Sequence, residues 1–259
     1  MKTISICNLK GGVAKTTTTV NLAADLVKDH GKRVLVIDAD SQANTTSFYR
    51  GETPLGKTLA DLLRLPRTER TPFSREVAID VTIRPGSFPG VDLLPADSTL
   101  MDLDLSKVAS DDVYTTVLAE GLPELAGRYD VVLIDCPPAF NAASTAALLA
   151  SDAVLIPVKL DAFALEGMGN LLQQIRNMRR INSRLALYGL LPVMWYRSEA
   201  IQQAESILRS SDLPVLPHIR RSTMVDDMTF RQLPLLCVSP SCGACQDYRR
   251  LARRLAEEV

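Results

Sequence analysis

Asn8-Leu9-Lys10-Gly11-Gly12-Val13-Ala14-Lys15-Thr16-Thr17 is the stretch on which the reading of this chain turns. It closes a short run, residues 3–8, whose apolar Ile4 and Ile6 read as a buried strand. A helical pattern over 15–30 follows, with Val20, Ala23, Ala24 and Val27 on one face and Gly31 as its stop. Leu22 and Leu26 add a second apolar stripe, so much of this helix is expected to be buried. Strand, glycine-bearing loop and helix together form an anion cradle. Backbone N–H groups of the loop and of the helix start converge on one spot and favour a phosphate there. Gly11 and Gly12 let the backbone close round oxygens where a Cβ would clash. Lys15 can reach β- and γ-phosphates, and the Thr16 hydroxyl can hold Mg²⁺. The alternative is a plain Gly-Gly turn flanked by two solvated lysines.

The general phosphate-loop pattern, Gly-x-x-x-x-Gly-Lys-Ser/Thr, fits imperfectly. Its first glycine falls on Leu9 and its second on Ala14. What remains is Lys-Gly-Gly-x-x-Lys-Thr, with Lys10 at the front. This resembles the deviant Walker A motif of the ParA/MinD ATPases, and most closely the small ParA-type partition ATPases. The resemblance implies a P-loop α/β fold with a mostly parallel central sheet flanked by helices on both faces. It implies ATP and Mg²⁺ as ligands, with Lys10, Gly11, Gly12, Val13, Ala14, Lys15, Thr16 and Thr17 around the nucleotide. It also implies an ATP-dependent homodimer in which Lys10 reaches the partner's phosphates.

Two further apolar runs end in acids. Arg33 to Ile37 runs into Asp38-Ala39-Asp40, and Val131 to Ile134 runs into Asp135-Cys136-Pro137-Pro138. Parallel sheets place ligands at the carboxyl edge of their strands, where the loop after the first strand also lies. Carboxylates there suit a metal, and one near the metal can orient an attacking water. Val36 to Gln42 resembles the ParA Asp-x-Asp-Pro-Gln segment, with Ser41 in place of the proline. The resemblance assigns Asp40 to the water and Asp38 to the metal shell, and makes Lys10 and Lys15 the charge-stabilising lysines. Asp135 resembles the Walker B acid and joins Thr16 and Asp38 as a metal residue, while its two following prolines stiffen the exit.

Strands and helices alternate along the chain, and the strands are continuously apolar. That pattern predicts a parallel sheet with helices on both faces. Further strands are expected at Val77–Ile83, Val91–Leu94, Ala153–Val158, Tyr188–Met194 and Pro214–Pro217. Helices are expected at Leu59–Leu65, Ser98–Lys107, Asp111–Leu125, 141–150, 165–180, 199–210, 222–231 and 244–258. No linker or repeat interrupts the pattern, so one domain over 1–259 is expected.

The 259 residues are 46% hydrophobic and 23% charged, with a formal net charge of −1, which argues against a constitutively sticky nucleic-acid binder. No apolar run suits a bilayer span, Met1-Lys2 leads straight into the first strand, and the cysteines number five. A reducing cytoplasm is the expected compartment. Arginines gather late in the chain: Arg176, Arg179-Arg180, Arg184, Arg197, Arg220-Arg221, Arg249-Arg250 and Arg253-Arg254. The family resemblance implies that the ATP dimer binds DNA non-specifically through some of them, with Arg197, Arg220 and Arg221 as candidates, and is then nucleoid-associated. No helix-turn-helix precedes the first strand, so operator binding is not expected. The resemblance also places Met194 and Pro217 at the adenine base and implies a ParB-like or cargo-adaptor partner that stimulates hydrolysis.

Two alternatives stand beside this. Cys237, Cys242 and Cys245 have a spacing seen in iron–sulfur proteins, which opens an iron–sulfur carrier role through Cys242 and Cys245. The expectation here is that these thiols pack as small residues at a helix start. The last helix, with Tyr248, Leu251, Ala252 and Leu255 opposite arginines, opens a MinD-like membrane-associated role. It is expected to dock on the domain, with no membrane contact.

Overall fold

Most strands of the sheet send alternate side chains into two different cores. In the computed structural model, which describes residues 1–52, 54–71, 78–80, 82–103, 113–161 and 164–259, the strands are β1 (Lys2–Ile6), β2 (Val34–Asp38), β3 (Arg84–Pro85), β4 (Val91–Leu94), β5 (Val131–Asp135), β6 (Ala153–Lys159) and β7 (Ala186–Val193). Their order is β3-β4-β2-β5-β1-β6-β7, parallel except for the short β3 edge. The helices are α1 (Lys15–His30), α2 (Asn44–Arg50), α3 (Leu59–Leu63), α4 (Val117–Gly121), α5 (Ala142–Ala150), α6 (Ala164–Met178), α7 (Glu199–Arg209), α8 (Met224–Arg231), α9 (Leu235–Val238) and α10 (Gly243–Ala256).

Ile4, Val36, Leu133 and Leu155 face the core shared with α1 and α10. Leu35, Val132, Ile134 and Ile156 face the opposite core, under α5 and α6. A period-2 backbone buried on both faces needs an unbroken apolar run, and β2 and β5 are buried at every position. Each fully buried Leu or Ile contributes roughly 1.5–3 kcal/mol of transfer free energy, so these strands anchor the fold. Gly31, at φ 63°, ends α1 in the left-handed conformation that a Cβ disfavours, and its N–H bonds the Val27 carbonyl at 3.0 Å.

The structure departs from the sequence expectation at several places. Residues 78–80 and 82, expected in a strand, are helical: Ile83 N–H reaches Ile79 O at 3.1 Å, and the Thr82 hydroxyl reaches Ala78 O at 2.7 Å. Ala78, Ile79 and Ile83 all enter the core from that turn, and a short apolar run fits either period. Residues 77 and 81 lie outside the described ones. Pro85 pairs antiparallel with Asp92 at the sheet edge, where its missing N–H costs nothing. The Ser98–Lys107 helix is a 3₁₀ stretch over Ser98–Asp102 among the described residues, capped by the Asp97 carboxylate. The Asp111–Leu125 helix is α4 followed by a 3₁₀ turn that starts at Leu122-Pro123, and 111–112 lie outside the described residues. Pro214–Pro217 makes one bridge, Val215 to Leu190. Helices α2 and α9 were not expected.

Candidate functional site

Sheet register alone brings the three motifs together. Ile6 pairs with Asp135, and Asp38 pairs with Asp135 from the other side. The loop after β1 and the acids ending β2 and β5 therefore share one edge. Asn8 pins the loop: its Nδ2 donates to Pro157 O at 2.7 Å, and its Oδ1 accepts Lys10 N–H at 2.9 Å. Gly12 is left-handed at φ 69°, and so is Ala14 at φ 60°. For alanine that conformation costs roughly 1–2 kcal/mol, which the strand-to-helix connection holds in place. Ala14 is the N-cap of α1 and no side chain caps the helix, so its first N–H groups face the loop hollow. A Cβ added at Gly11 or Gly12 would meet nothing within 4 Å, which marks an open hollow over the loop. Lys15 is buried, and its ammonium donates to Lys10 O at 3.1 Å.

Asp135 Oδ2 accepts the hydroxyls of Thr16 and Thr45, each at 2.6 Å, while its Oδ1 is buried without a hydrogen-bond partner. Asp38 is hydrogen-bonded by its own chain. Its Oδ2 accepts Thr46 N–H and Thr46 Oγ1–H at 2.7 Å each, and its Oδ1 accepts Asp40 N–H at 3.1 Å. Burial raises the proton affinity of both carboxyls, and the Asp135 charge raises that of Asp38 further. A buried, unpartnered carboxylate oxygen beside a threonine hydroxyl and a repelled neighbour is a donor set that fits a divalent cation. Thr16 and Asp135 form that set. Asp38, expected in the metal shell, stands on the same strand edge with oxygens that accept from Thr46 and from the Asp40 backbone. Asp40 stands half-buried at the rim, with Oδ1 accepting Gln42 N–H at 3.0 Å.

Lys10 is held by an acid from another strand end. Its ammonium bonds Asp161 Oδ1 at 2.8 Å and Oδ2 at 2.7 Å, on the loop after β6. On the other side of the loop lies a cavity of about 180 Å³, mostly apolar, with Ala14, Thr17, Met194, Ile219, Arg220 and Tyr248 in its wall. Met194, expected at the base, lines this cavity and is held left-handed at φ 56°. Pro217 is exposed and does not line the cavity. The wall comes from Ile219 because Ile219 N–H bonds Pro192 O at 2.8 Å and Trp195 N–H bonds Ile219 O at 3.0 Å. Of the three arginines expected at DNA, Arg197 and Arg221 are exposed, whereas Arg220 is ion-paired to Asp247 in the cavity wall. Cys242 Sγ accepts Cys245 N–H at 3.4 Å and caps α10; Cys245 is buried and Cys237 exposed. Among the described residues no three His, Cys, Asp or Glu side chains stand as a metal-holding group, and no helix is long and apolar enough to cross a membrane.

The family model described as an AAA domain matches residues 1–187. The chromosome partitioning protein ParA of Caulobacter vibrioides is 32% identical over 98% of this chain and 94% of its own length. The chain belongs to the ParA/MinD family of P-loop ATPases. A second ParA/MinD-family relative is the sporulation initiation inhibitor protein Soj of Bacillus subtilis. It is 32% identical and covers 98% of both chains. The fold is shared with a Mycobacterium smegmatis structure described as cobyrinic acid a,c-diamide synthase with bound ADP and magnesium. The two are 27% identical, with a TM-score of 0.80, over 100% of this chain and 95% of that one.

Several residues that build this ParA-family site escaped the sequence reading. Thr45 and Thr46 sit in a polar stretch, and only the fold shows that they cap Asp135 and Asp38. Asp161 lies two residues beyond the end of β6, and the strand-edge argument that found Asp38 and Asp135 points to it as well. Tyr248 enters the cavity wall from the last helix, over 230 residues from Ala14, and no local pattern announces it.

Proposed function

We propose that this ParA-family protein binds ATP with Mg²⁺ at residues 10–17 and hydrolyses it to ADP and phosphate. In this reading the whole chain, 1–259, works as one ATPase domain that closes into a homodimer on ATP, in the cytoplasm and on the nucleoid. The dimer binds DNA non-specifically, and a ParB-like or cargo-adaptor protein stimulates hydrolysis, so that cycles of binding and release partition or position a cargo. The observation that carries the nucleotide site is the buried, unpartnered Asp135 Oδ1 beside Thr16, under an uncapped helix N-terminus. Chromosome partitioning, in the name of the Caulobacter relative, supports the cargo role.

Each residue then has a task. The helix N-terminus and loop N–H groups take the phosphates, and Lys15 reaches the β- and γ-oxygens. Thr16 and Asp135 would hold Mg²⁺, which neutralises phosphate charge when bound. Asp40, at the rim with one oxygen committed to Gln42, orients the attacking water with the other. Lys10 leaves Asp161 and meets the partner's phosphates. Met194 packs on the base. Arg197 and Arg221, both exposed, contact DNA; with a net charge of −1, affinity depends on two subunits aligning these arginines.

Retention on non-specific DNA is the deciding measurement. ATP-loaded wild type is expected to be retained, and ADP-loaded protein and Lys10→Ala with ATP are expected to be released. Equal retention in all three would end the partition reading. A smaller effect concerns Asp161. Because the Lys10–Asp161 pair is partly exposed, it is worth at most about 1 kcal/mol. A closing homodimer releases two such pairs, so Asp161→Asn is expected to tighten ATP-dependent self-association by up to about thirtyfold, read by analytical ultracentrifugation. A weaker dimer would place Asp161 in the interface itself.

A further inference from the structure

The Asp135 carboxyl is gripped by one oxygen only. Its Oδ2 accepts two hydroxyl bonds, from Thr16 on α1 and from Thr45 on α2, each at 2.6 Å, and its Oδ1 accepts none. Hydroxyl bonds to an ionised acid are short in this way. The two threonines differ in reach. Thr16 lines a cavity of about 390 Å³ beside the loop. Its hydroxyl, having given its hydrogen to Asp135, keeps two lone pairs for a cation. Thr45 is 0% exposed and lines neither cavity next to the loop. Its neighbours fix it from both sides. Thr46 donates its N–H and its hydroxyl to Asp38 Oδ2 at 2.7 Å each and accepts Ala96 N–H at 2.8 Å. Ala43 N–H reaches Asp40 O at 2.9 Å, with Ala43 left-handed at φ 51°. The first turn of α2 therefore joins Asp135 to the backbone that carries Asp40.

We infer that Thr45 is a positioning residue: it fixes the Asp135 carboxyl with Oδ1 left bare for a divalent cation, and so couples cation binding to the docking of α2. This rests on the nucleotide site proposed above. A carboxylate is symmetric, and rotation about its last bond exchanges the two oxygens. One hydroxyl leaves the carboxyl free to turn about that hydrogen bond. Two hydroxyls from different helices, both on Oδ2, break the symmetry before any cation arrives. Hydrogen bonds that orient a metal-binding side chain are worth roughly 10–100-fold in metal affinity. Such coupling is reciprocal, so a cation on Oδ1 holds α2 more tightly, and with it the Asp40 segment. The residue that orients the water is thereby set in place together with the metal.

The test separates metal affinity from nucleotide affinity. ADP binding by wild type, Thr45→Val, Thr45→Ala and Thr45→Ser is measured by calorimetry across a Mg²⁺ series that starts from EDTA, and each melting temperature is recorded without ligand. Thr45→Val keeps the shape and removes the hydroxyl. It is expected to raise the Mg²⁺ concentration at half effect about tenfold and to leave ADP affinity in EDTA within about twofold. Thr45→Ser, which keeps the hydroxyl, is expected to return the midpoint to that of wild type. Thr45→Ala carries the test if the valine variant does not fold. Amide exchange over residues 40–50 of the ADP-bound protein supplies a second readout. Mg²⁺ is expected to slow it in wild type and in Thr45→Ser, and to lose that effect in Thr45→Val at the same concentration. A merely structural hydroxyl would lower the melting temperature and leave both the Mg²⁺ midpoint and the exchange difference unchanged, and that result overturns the inference. Equal weakening of ADP in EDTA and in Mg²⁺ overturns it too. Wild type that binds no ADP, or whose ADP affinity ignores Mg²⁺, refutes the nucleotide and metal site itself.

Discussion

Lys15→Ala is expected to lower ATP hydrolysis by at least about 100-fold, the loss seen when one preorganised charge-stabilising donor is removed from a water-poor site. Lys15 is 8% exposed, and its ammonium lies over the loop with Lys10 O at 3.1 Å. No bulky group needs to fill its place, so the fold is expected to survive, with a ligand-free melting temperature close to that of wild type. The chemistry should suffer twice. The γ-phosphate loses a cation held where charge gathers in the transition state. Asp135 loses the positive neighbour that helps to keep its carboxyl ionised against burial, and a protonated Asp135 is a poor metal ligand. Phosphate release measured against Mg²⁺ concentration separates the two effects. Raising Mg²⁺ restores the part that comes through Asp135 and leaves the rest. Hydrolysis within about threefold of wild type at all Mg²⁺ concentrations would mean that catalysis does not use this loop.

The parts of the site that could be read in the sequence are those governed by local rules. A strand that must be buried on both faces shows as an apolar run, and the residue after the run falls on the ligand edge. Lys10 to Thr17, Asp38 and Asp135 were found that way, and register between β1, β2 and β5 brings them together. Ligand sharing inside the site was not legible. Whether an acid's oxygens are spare depends on which hydroxyls reach it. Thr46 takes Asp38 and Thr16 takes Asp135, and this distinguishes two aspartates that look alike in sequence. The apolar cavity beside the loop is hidden for a different reason: its wall joins Ala14, Met194, Ile219 and Tyr248 from four distant segments. At residues 78–83 a short apolar run served a helix as well as a strand, and contact with the α3–α4 side of the core decided between them.

Wild-type stability is expected to fall as pH rises from about 4 to 8, and Asp25→Asn is expected to remove the share of that slope that Asp25 carries. Asp25 lies on α1, 2% exposed, against α10. Burial pushes its carboxyl up from 3.8 to about 8, the Asp29 charge adds to the rise, and Arg249 opposes it. Tyr49 from α2, Cys237 from α9 and Cys245 and Tyr248 from α10 are the other titratable groups that feel it. The folded pKa is above the unfolded one, so between the two values the native state holds a proton that the unfolded chain has released. The contribution is complete below the unfolded pKa and is lost as pH rises through the folded one. At roughly 1.4 kcal/mol for each unit of separation, the full window amounts to a few kcal/mol. Asparagine keeps the shape of the neutral acid and cannot ionise. At pH 8.5 the variant should therefore melt several degrees above wild type, and at pH 5 the two should be close. The Asp38–Asp135 pair is raised in the same direction, but it stays in both proteins and cancels in the comparison. If both proteins lose stability in parallel from pH 5 to 8.5, the titration belongs to that pair, and Mg²⁺-ADP, for which Asp135 is the proposed metal residue, should flatten it. If Asp25→Asn alone flattens the slope, the groove between the phosphate-loop helix and the last helix carries the pH dependence of this fold.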